Sequence, residues 1–186
     1  MKEDNVPMVK YAMHYGAILG LFWMLKYILL IISGFKFPIA GGVTSDIFLY
    51  LYYVLNLGTF ALIYIFYFKY KFSDEEHPKQ MGYCILFTIM LCFFASFFEG
   101  AMMYAHYKFI HPEVFNEVSR PLHKMVETLP ETFPNYPQES LDLLHKIYSN
   151  RLVYIIVLFL QNIFVGFFLG LVFGITTRNV KNINPS

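Results

Sequence analysis

The sequence predicts an all-α membrane protein with four transmembrane helices, and two observations support this fold class. Of the 186 residues, 57% are hydrophobic and only 15% are charged, whereas soluble domains carry about 25% charged residues. Four apolar runs are also long enough to cross the hydrocarbon core of a bilayer, which takes about 20 helical residues. The predicted spans cover residues 13–35, 47–68, 83–107 and 151–177. We therefore interpret residues 1–186 as a single four-helix membrane domain.

The first span has features that allow another interpretation. Residues 13–35 resemble a signal peptide, but the apolar stretch is longer than a signal core, and no small-x-small cleavage motif precedes a soluble domain. We therefore expect this helix to be retained.

The second span is rich in tyrosine, and tyrosines at its ends are typical of the aromatic belts at membrane interfaces.

Charge and cysteine content exclude two further classes of protein. The net charge of +1 does not support binding to nucleic acid, which requires a basic surface. Cys84 and Cys92 both lie within the third span, where a free buried cysteine acts as a small hydrophobic residue. We therefore predict neither a disulfide framework nor a cysteine metal site.

Residues 108–150 form a polar segment that we predict to be an amphipathic helical hairpin between the third and fourth spans. The first helix is expected to start at Pro112, because proline suits a first helical turn, and to kink at Pro121. After a loop at residues 129–140, a second short helix leads towards the fourth span. We expect the hairpin to pack on itself, on the bundle or on lipid, with a docking surface for a partner as the alternative. The apolar positions at helical spacing are Val114, Phe115, Val118, Leu122, Met125, Leu129, Leu141, Leu144, Ile147 and Tyr148.

Lysine and arginine near the span ends predict the orientation. More of them lie on the termini and on the loop between the second and third spans than on the opposite face, and cytoplasmic segments carry the excess of such residues. Both termini are therefore expected in the cytoplasm, and the hairpin is expected to be extracytoplasmic. The residues on the predicted cytoplasmic face are Lys2, Lys10, Lys69, Lys71, Lys79, Arg178 and Lys181.

Two opposite charges interrupt the apolar spans at similar depth. At a rise of about 1.5 Å per residue, Lys26 lies roughly 20 Å and Glu99 roughly 24 Å from the cytoplasmic ends of their spans. A charge in hydrocarbon costs roughly 2.5–3.5 kcal/mol even on lenient scales, so it normally has a partner. We therefore predict an intramembrane pair of Lys26 with Glu99. The alternative is that Lys26 extends along its own stem to the membrane surface.

Three amides form a second predicted polar layer, near the midplane. Asn56 lies roughly 14 Å from the outer end of the second span, and Gln161 and Asn162 lie at nearly the same depth on the fourth span. Such amides usually form hydrogen bonds between helices, and a transport site is the alternative. The depths predict two polar tiers, with the charged pair in one tier and the amides in the other.

Small residues at four-residue spacing indicate where membrane helices approach closely. The first and third spans each carry one such pair, and the fourth span carries a longer ridge. This spacing is compatible with contact between the first and fourth spans or with a homodimer through the fourth span. The residues are Gly16, Gly20, Ser96, Gly100, Gly166, Gly170 and Gly174.

Four residues around the end of the third span have the chemistry of metal ligands, namely Glu99, His106, His111 and Glu113. Glu99 and His106 share a helical face, but Pro112 breaks the helix between the two halves of this set. The sequence contains no HExxH motif, no CxxC motif, no phosphate-binding glycine loop and no nucleophile elbow. We therefore predict no enzymatic activity, no metal and no cofactor, and we interpret the histidines as interfacial.

Four sequence blocks resemble a family of small membrane proteins from Gram-negative bacteria, domain of unknown function 4199. The blocks are YGAILGLFWML in the first span, the run from Met81 through YAHYKFIHPEVFNEV, the helical segment that follows it, and the glycine-rich last span with its basic tail. The second block holds Phe109-Ile110-His111-Pro112, which is similar to the Phe-Ile-x-Pro turn of family members. Lys26 and the aromatic second span depart from the group. The resemblance implies a four-helix fold in the bacterial inner membrane and transfers no activity.

The resemblance also implies a partner, because family members are often encoded near a glycosyltransferase that would use a polyprenyl-phosphate lipid carrier. The leading hypothesis is a non-enzymatic accessory or scaffold subunit of a membrane complex, either homo-oligomeric or bound to such a glycosyltransferase. The alternative is a small transporter or lipid-handling protein. In that case Lys26, Glu99 and the three amides line an intramembrane cavity.

Overall fold

The computed structural model describes residues 5–32, 43–73, 78–133, 135 and 137–178. Within these residues every regular element is a helix. A π-helical turn, His106–Ile110, continues α3. With this turn, α3 joins α1, α2 and α6 as helices long and apolar enough to cross a membrane, which confirms the predicted set of four apolar helices. The helices are α1 (Asn5–Ile32), α2 (Val43–Lys71), α3 (Met81–Ala105), α4 (Val114–Thr132), α5 (Gln138–Ser149) and α6 (Arg151–Thr176).

The helices extend beyond the predicted spans, because helical hydrogen bonding continues where polar residues reach the membrane interface. α1 begins at Asn5 and α2 begins at Val43, both before the first residue of the predicted apolar run. Most of the connection between the first two predicted spans, residues 36–46, lies outside the described residues, and so does the tail after Arg178.

α3 is the central helix of the bundle. Both α1 and α6 pack along it, while α2 packs mainly on α1. Leu91 of α3 is fully buried in one apolar cluster with Leu19 of α1 and Ile63 of α2. All four helices are apolar, so hydrophobicity alone does not select the central one. The central helix is selected by close approach of its neighbours at small residues.

The glycines of α1 and α6 face α3. A Cβ atom on Gly16 would lie 2.7 Å from Phe94 Cβ, and one on Gly166 would lie 2.9 Å from the carbonyl oxygen of Thr88. Gly20, Gly170 and Gly174 approach α3 just as closely. The contact considered between the first and fourth spans is therefore replaced by two contacts with α3. A homodimer through the α6 ridge would have to displace α3.

The small residues of α3 have separate roles. Ser96 is buried, and its Oγ donates a hydrogen bond of 2.8 Å to the carbonyl oxygen of Cys92 in its own helix. The Cβ position of Gly100 lies 3.4 Å from Ile155 Cγ2 of α6, so Gly100 borders the contact between α3 and α6. Cys84 and Cys92 are free and fully buried, in agreement with their predicted role as small hydrophobic residues.

α2 and α6 meet near their C-terminal ends. Lys71 Nζ donates hydrogen bonds to the carbonyl oxygen and to Oγ1 of Thr177, at 2.5 and 2.9 Å. The hydroxyl of Tyr67 lies 3.3 Å from the same Oγ1. The ring of Phe173 packs edge-on against Tyr64 and Tyr67. These contacts join two helices that run in the same direction, and towards their N-terminal ends both helices line a cavity.

α4 and α5 pack against each other as a hairpin at the end of the bundle where α3 ends and α6 begins. α4 continues through Pro121 to Thr132, so the loop is shorter than the predicted one at residues 129–140. Val114 and Phe115 are buried among aromatic residues of α1, α3 and α6. This contact fixes the start of α4 on the spanning helices.

Two contacts complete the hairpin. His123 of α4 and His145 of α5 stack, with their Nδ1 atoms 3.3 Å apart. Asn150 separates α5 from α6, and its Oδ1 accepts hydrogen bonds from the backbone nitrogens of Leu152 and Val153, at 3.0 and 3.3 Å. A side chain that accepts from the second and third amides of a helix is an N-cap, so α6 starts as a separate helix instead of continuing α5.

Candidate functional site

A cavity of about 270 Å³ lies in the half of the bundle next to the α4–α5 hairpin. All four spanning helices contribute to its wall. The cavity occupies the space between the N-terminal halves of α2 and α6, which meet at their other ends. Its polar lining includes Lys26, Tyr27, Tyr52, Glu99, Gln161 and Asn162.

Glu99 is the acceptor of a hydrogen bond that crosses from α6 to α3. Asn162 Nδ2 donates to Glu99 Oε2 over 2.8 Å. Gly100, the next residue along α3, faces α6 as well, and its Cβ position lies 3.4 Å from the side-chain atom Cγ2 of Ile155. Glu99 thus has a partner on a helix that the predicted pairing did not include.

Lys26 lines the same cavity from α1. Glu99 lines this cavity too, from α3, and Lys26 Nζ lies 5.8 Å from the centre of the Trp23 ring. A lysine ammonium at this distance from an indole face gains a cation–π attraction. The predicted partners therefore share one cavity, while the direct hydrogen bond to Glu99 comes from Asn162.

The amides occupy a different arrangement from the predicted midplane tier. Gln161 and Asn162 line the cavity together with Lys26 and Glu99, whereas Asn56 Nδ2 donates to the carbonyl oxygen of Tyr52 in its own helix, at 3.1 Å. The π-helical turn bears on the level of Glu99, because it extends α3 to Ile110, beyond the predicted end of the third span at residue 107. Measured from the hairpin end, Glu99 then lies as many residues from Ile110 as Asn162 lies from the start of α6.

A chain of hydrogen bonds leads from the cavity to the hairpin end of the bundle. The hydroxyl of Tyr27 lies 2.8 Å from His106 Nδ1, and His106 Nε2 lies 3.4 Å from His111 Nδ1. Tyr27 and His106 are buried, and His111 is partly exposed. The sequence interpretation treated the two histidines as separate interfacial residues, but the structure joins them to the cavity.

The metal set considered from the sequence does not come together. Among the residues that the structure describes, no group of three or more histidine, cysteine, aspartate and glutamate side chains is placed to hold a metal ion. Glu99 faces the cavity, whereas Glu113 is exposed just before α4. The π-helical turn and the break at Pro112 separate the two carboxylates.

Comparison with known proteins gives a family but no activity. A family model described as Protein of unknown function (DUF4199) matches residues 14–179. The chain belongs to this family. No curated protein and no solved structure matched the DUF4199 chain. The match confirms the resemblance and covers α2, α3, α6 and most of α1, so the residues that line the cavity all lie within the part of the chain that defines the family.

Sequence reasoning missed the tyrosines of this DUF4199 protein that line the cavity. Tyr27, Tyr52, Tyr107 and Tyr154 contribute to its wall, whereas the sequence interpretation considered only the tyrosines of the second span and assigned those at its ends to interface belts. One signal was present in the sequence. Tyr27 is adjacent to Lys26, and Tyr107 lies eight residues after Glu99, which places it near the same helical face.

Proposed function

We propose that this DUF4199 protein is a lipid-handling membrane protein that binds the polar head of a phosphate-bearing amphiphile in the cavity. The observation that carries the proposal is the shared cavity of Lys26 and Glu99. Two charged residues at this depth are costly unless they meet a partner or water, and intramembrane ionisable residues commonly mark substrate pathways. A bound polar head would supply partners for both side chains.

The chemistry of the lining favours this class of ligand. A lysine ammonium offers three donors and no acceptor, whereas a carboxylate offers only acceptors. Lys26 is therefore suited to the phosphate oxygens, and Glu99 and the tyrosine hydroxyls are suited to the hydroxyl or amine groups of the same head. The cavity volume is about 270 Å³, and one water takes about 30 Å³ in the liquid. The cavity thus has the space of several waters, which a small polar head could occupy instead.

The position of the cavity suits the tail of the amphiphile. α2 and α6 contact each other near their C-terminal ends and line the cavity nearer their N-terminal ends. Gln161 is exposed at the edge of the lining, and both helices present large apolar side chains to their surroundings, such as Leu57 and Phe164. An acyl or prenyl tail between α2 and α6 would stay in the hydrocarbon layer while its head occupied the cavity.

The experiment is to purify the protein in mild detergent and measure the bound lipid by native mass spectrometry and phosphate analysis. We expect the wild type to retain a phosphate-bearing lipid and the Lys26→Met and Glu99→Gln variants to lose most of it. Lys108→Met is the matched control, because Lys108 is exposed and bonds to Tyr104 away from the cavity lining. Equal retention by all variants, or no retained lipid in the wild type, would contradict the proposal.

A second candidate function is a non-enzymatic accessory subunit of a membrane complex. The observation that favours it is the set of large apolar side chains exposed on and between α4 and α5, including Met125, Phe133 and Leu143. The glycosyltransferase implied by the family resemblance is the proposed partner. Crosslinking in native membranes tests this role, and recovery of only uncrosslinked monomer would count against it.

The proposed location is a bacterial inner membrane with both termini in the cytoplasm. The excess of lysine and arginine on the terminal segments and on the connection between α2 and α3 supports this orientation. It would place the hairpin and the neighbouring cavity in the extracytoplasmic half of the protein.

A further inference from the structure

The hydrogen-bond chain from Tyr27 to His111 has the geometry of a proton path. Tyr27 lines the cavity, and its hydroxyl bonds to His106 Nδ1 at 2.8 Å. The other ring nitrogen of His106 faces His111 Nδ1 at 3.4 Å. Each imidazole has one nitrogen that accepts and one that donates in its neutral form. His106 can thus accept a proton from Tyr27 at Nδ1 and donate one to His111 from Nε2.

Burial separates the inner part of this chain from bulk water. His106 is 2% exposed and Tyr27 is 8% exposed, whereas His111 is partly exposed beyond the last residue of the spanning helix. The aromatic cluster of Tyr107, Phe115 and Tyr154 packs beside the chain. His111, His106 and Tyr27 therefore connect the hairpin end to the wall of the cavity, and the remaining step to Glu99 crosses the cavity itself.

We propose that Tyr27, His106 and His111 carry protons between the surface at the hairpin end and Glu99 in the cavity. This rests on the proposed function in one respect, because protonation of Glu99 would then change how tightly the cavity binds the polar head. Protonation removes the negative charge of Glu99 and one of its acceptor sites. The path thus couples occupancy of the cavity to pH at the hairpin face.

Protons are conserved along the path. For outward transfer, Tyr27 gives its hydroxyl proton to His106 Nδ1, His106 gives its Nε2 proton to His111 Nδ1, and His111 releases its Nε2 proton to water. Glu99 then returns a proton to the Tyr27 oxygen through water in the cavity. Each imidazole ends neutral in its other tautomer, and the net change is one proton moved from Glu99 to the surface. Inward transfer follows the same bonds in reverse.

Other charged and titratable groups face this path. Asn162 of α6 holds Glu99 by an uncharged hydrogen bond. Arg151 Nη2 of α6 donates to the carbonyl oxygen of Pro112, the residue after His111, at 3.2 Å. The titratable side chains that line the cavity around Glu99 are Lys26, Tyr27, Tyr52, Tyr107 and Tyr154.

A pH jump followed by time-resolved infrared spectroscopy tests the path on the full-length protein in lipid nanodiscs. The carboxyl band that disappears in Glu99→Gln reports the protonation of Glu99. We expect His111→Phe and Tyr27→Phe to slow the relaxation of this band by about tenfold or more, as removal of a positioned proton-transfer group does. The final amplitude should stay the same, because a path changes the rate and not the equilibrium.

His145→Phe is the matched control, since His145 lies at the same end of the protein but bonds to His123 outside the path, and its rate should equal that of the wild type. An unchanged rate in His111→Phe, or the absence of any band that depends on Glu99, would overturn the proposal. Lipid retention is measured on the same samples. Slowed relaxation without bound lipid would support the path and contradict the lipid function. Bound lipid with unchanged relaxation would do the reverse.

Discussion

The side-chain amide of Asn162 donates a hydrogen bond of 2.8 Å to the carboxylate of Glu99, and this bond joins α6 to α3 in the half of the bundle that holds the cavity. The bond satisfies Oε2 of Glu99. Without it, the carboxylate would face only the cavity, which Lys26 also lines. The bond combines two roles, since it holds the helices together and keeps the acid directed into the cavity.

We predict that Asn162→Leu destabilises the protein by about 1–2 kcal/mol, in the range for hydrogen bonds between membrane helices and to charged groups. Unfolding in mixed micelles with increasing SDS measures the change. Asn56→Leu is the control, because the amide of Asn56 bonds to the backbone of its own helix. A larger loss in Asn56→Leu than in Asn162→Leu would contradict the assigned role.

Gly166 is predicted to be the most sensitive position in the contact between α3 and α6. Gly166→Ala places a Cβ atom 2.9 Å from the backbone oxygen of Thr88, so the helices must separate, at a cost of about 1–3 kcal/mol. Gly82→Ala is the control, because nothing lies within 4 Å of its Cβ position. Alanine should leave stability unchanged there or raise it by about 0.5–1 kcal/mol through helix propensity. SDS unfolding distinguishes the two variants.

Thr177 is predicted to hold α2 and α6 together at their C-terminal ends. Thr177→Val removes the hydroxyl that contacts Tyr67 and Lys71, which should lower the free energy of unfolding by about 1 kcal/mol. Spin labels on α2 and α6 should also show a broader distance distribution. Thr177→Ser keeps the hydroxyl and should behave as the wild type. If Thr177→Ser and Thr177→Val lower the free energy of unfolding equally, the hydroxyl does not hold α2 and α6 together.

The orientation is open to a direct labelling test. Cys84 and Cys92 are fully buried and should not react in the folded protein, so single cysteines can be added to the natural sequence. We expect a membrane-impermeant maleimide to label Leu143→Cys in intact cells, because the side chain of Leu143 is exposed on α5. Ser73→Cys, at the opposite end of the bundle, should react only after the membrane is opened. The reverse pattern would invert the orientation.

Composition and periodicity were sufficient to predict the four apolar helices, the amphipathic hairpin and the charged residues within the spans. These features depend on local composition and periodicity, because a helix in a membrane satisfies its own backbone groups. The resemblance carried by the block from Met81 to the Phe109-Ile110-His111-Pro112 turn also led to the correct family.

The choice of neighbouring helices and the grouping of polar side chains into one site could be read from the folded arrangement alone. Lys26 and Glu99 were found from the sequence, but the partnership of Glu99 with Asn162 and the burial of both glycine ridges against α3 were not. The physical reason is that four uniformly apolar helices provide no hydrophobic preference for one neighbour over another. Their arrangement depends on backbone approach at small residues and on the five-residue π-helical turn His106–Ile110, and neither is visible in hydropathy or in depth counted along a single helix.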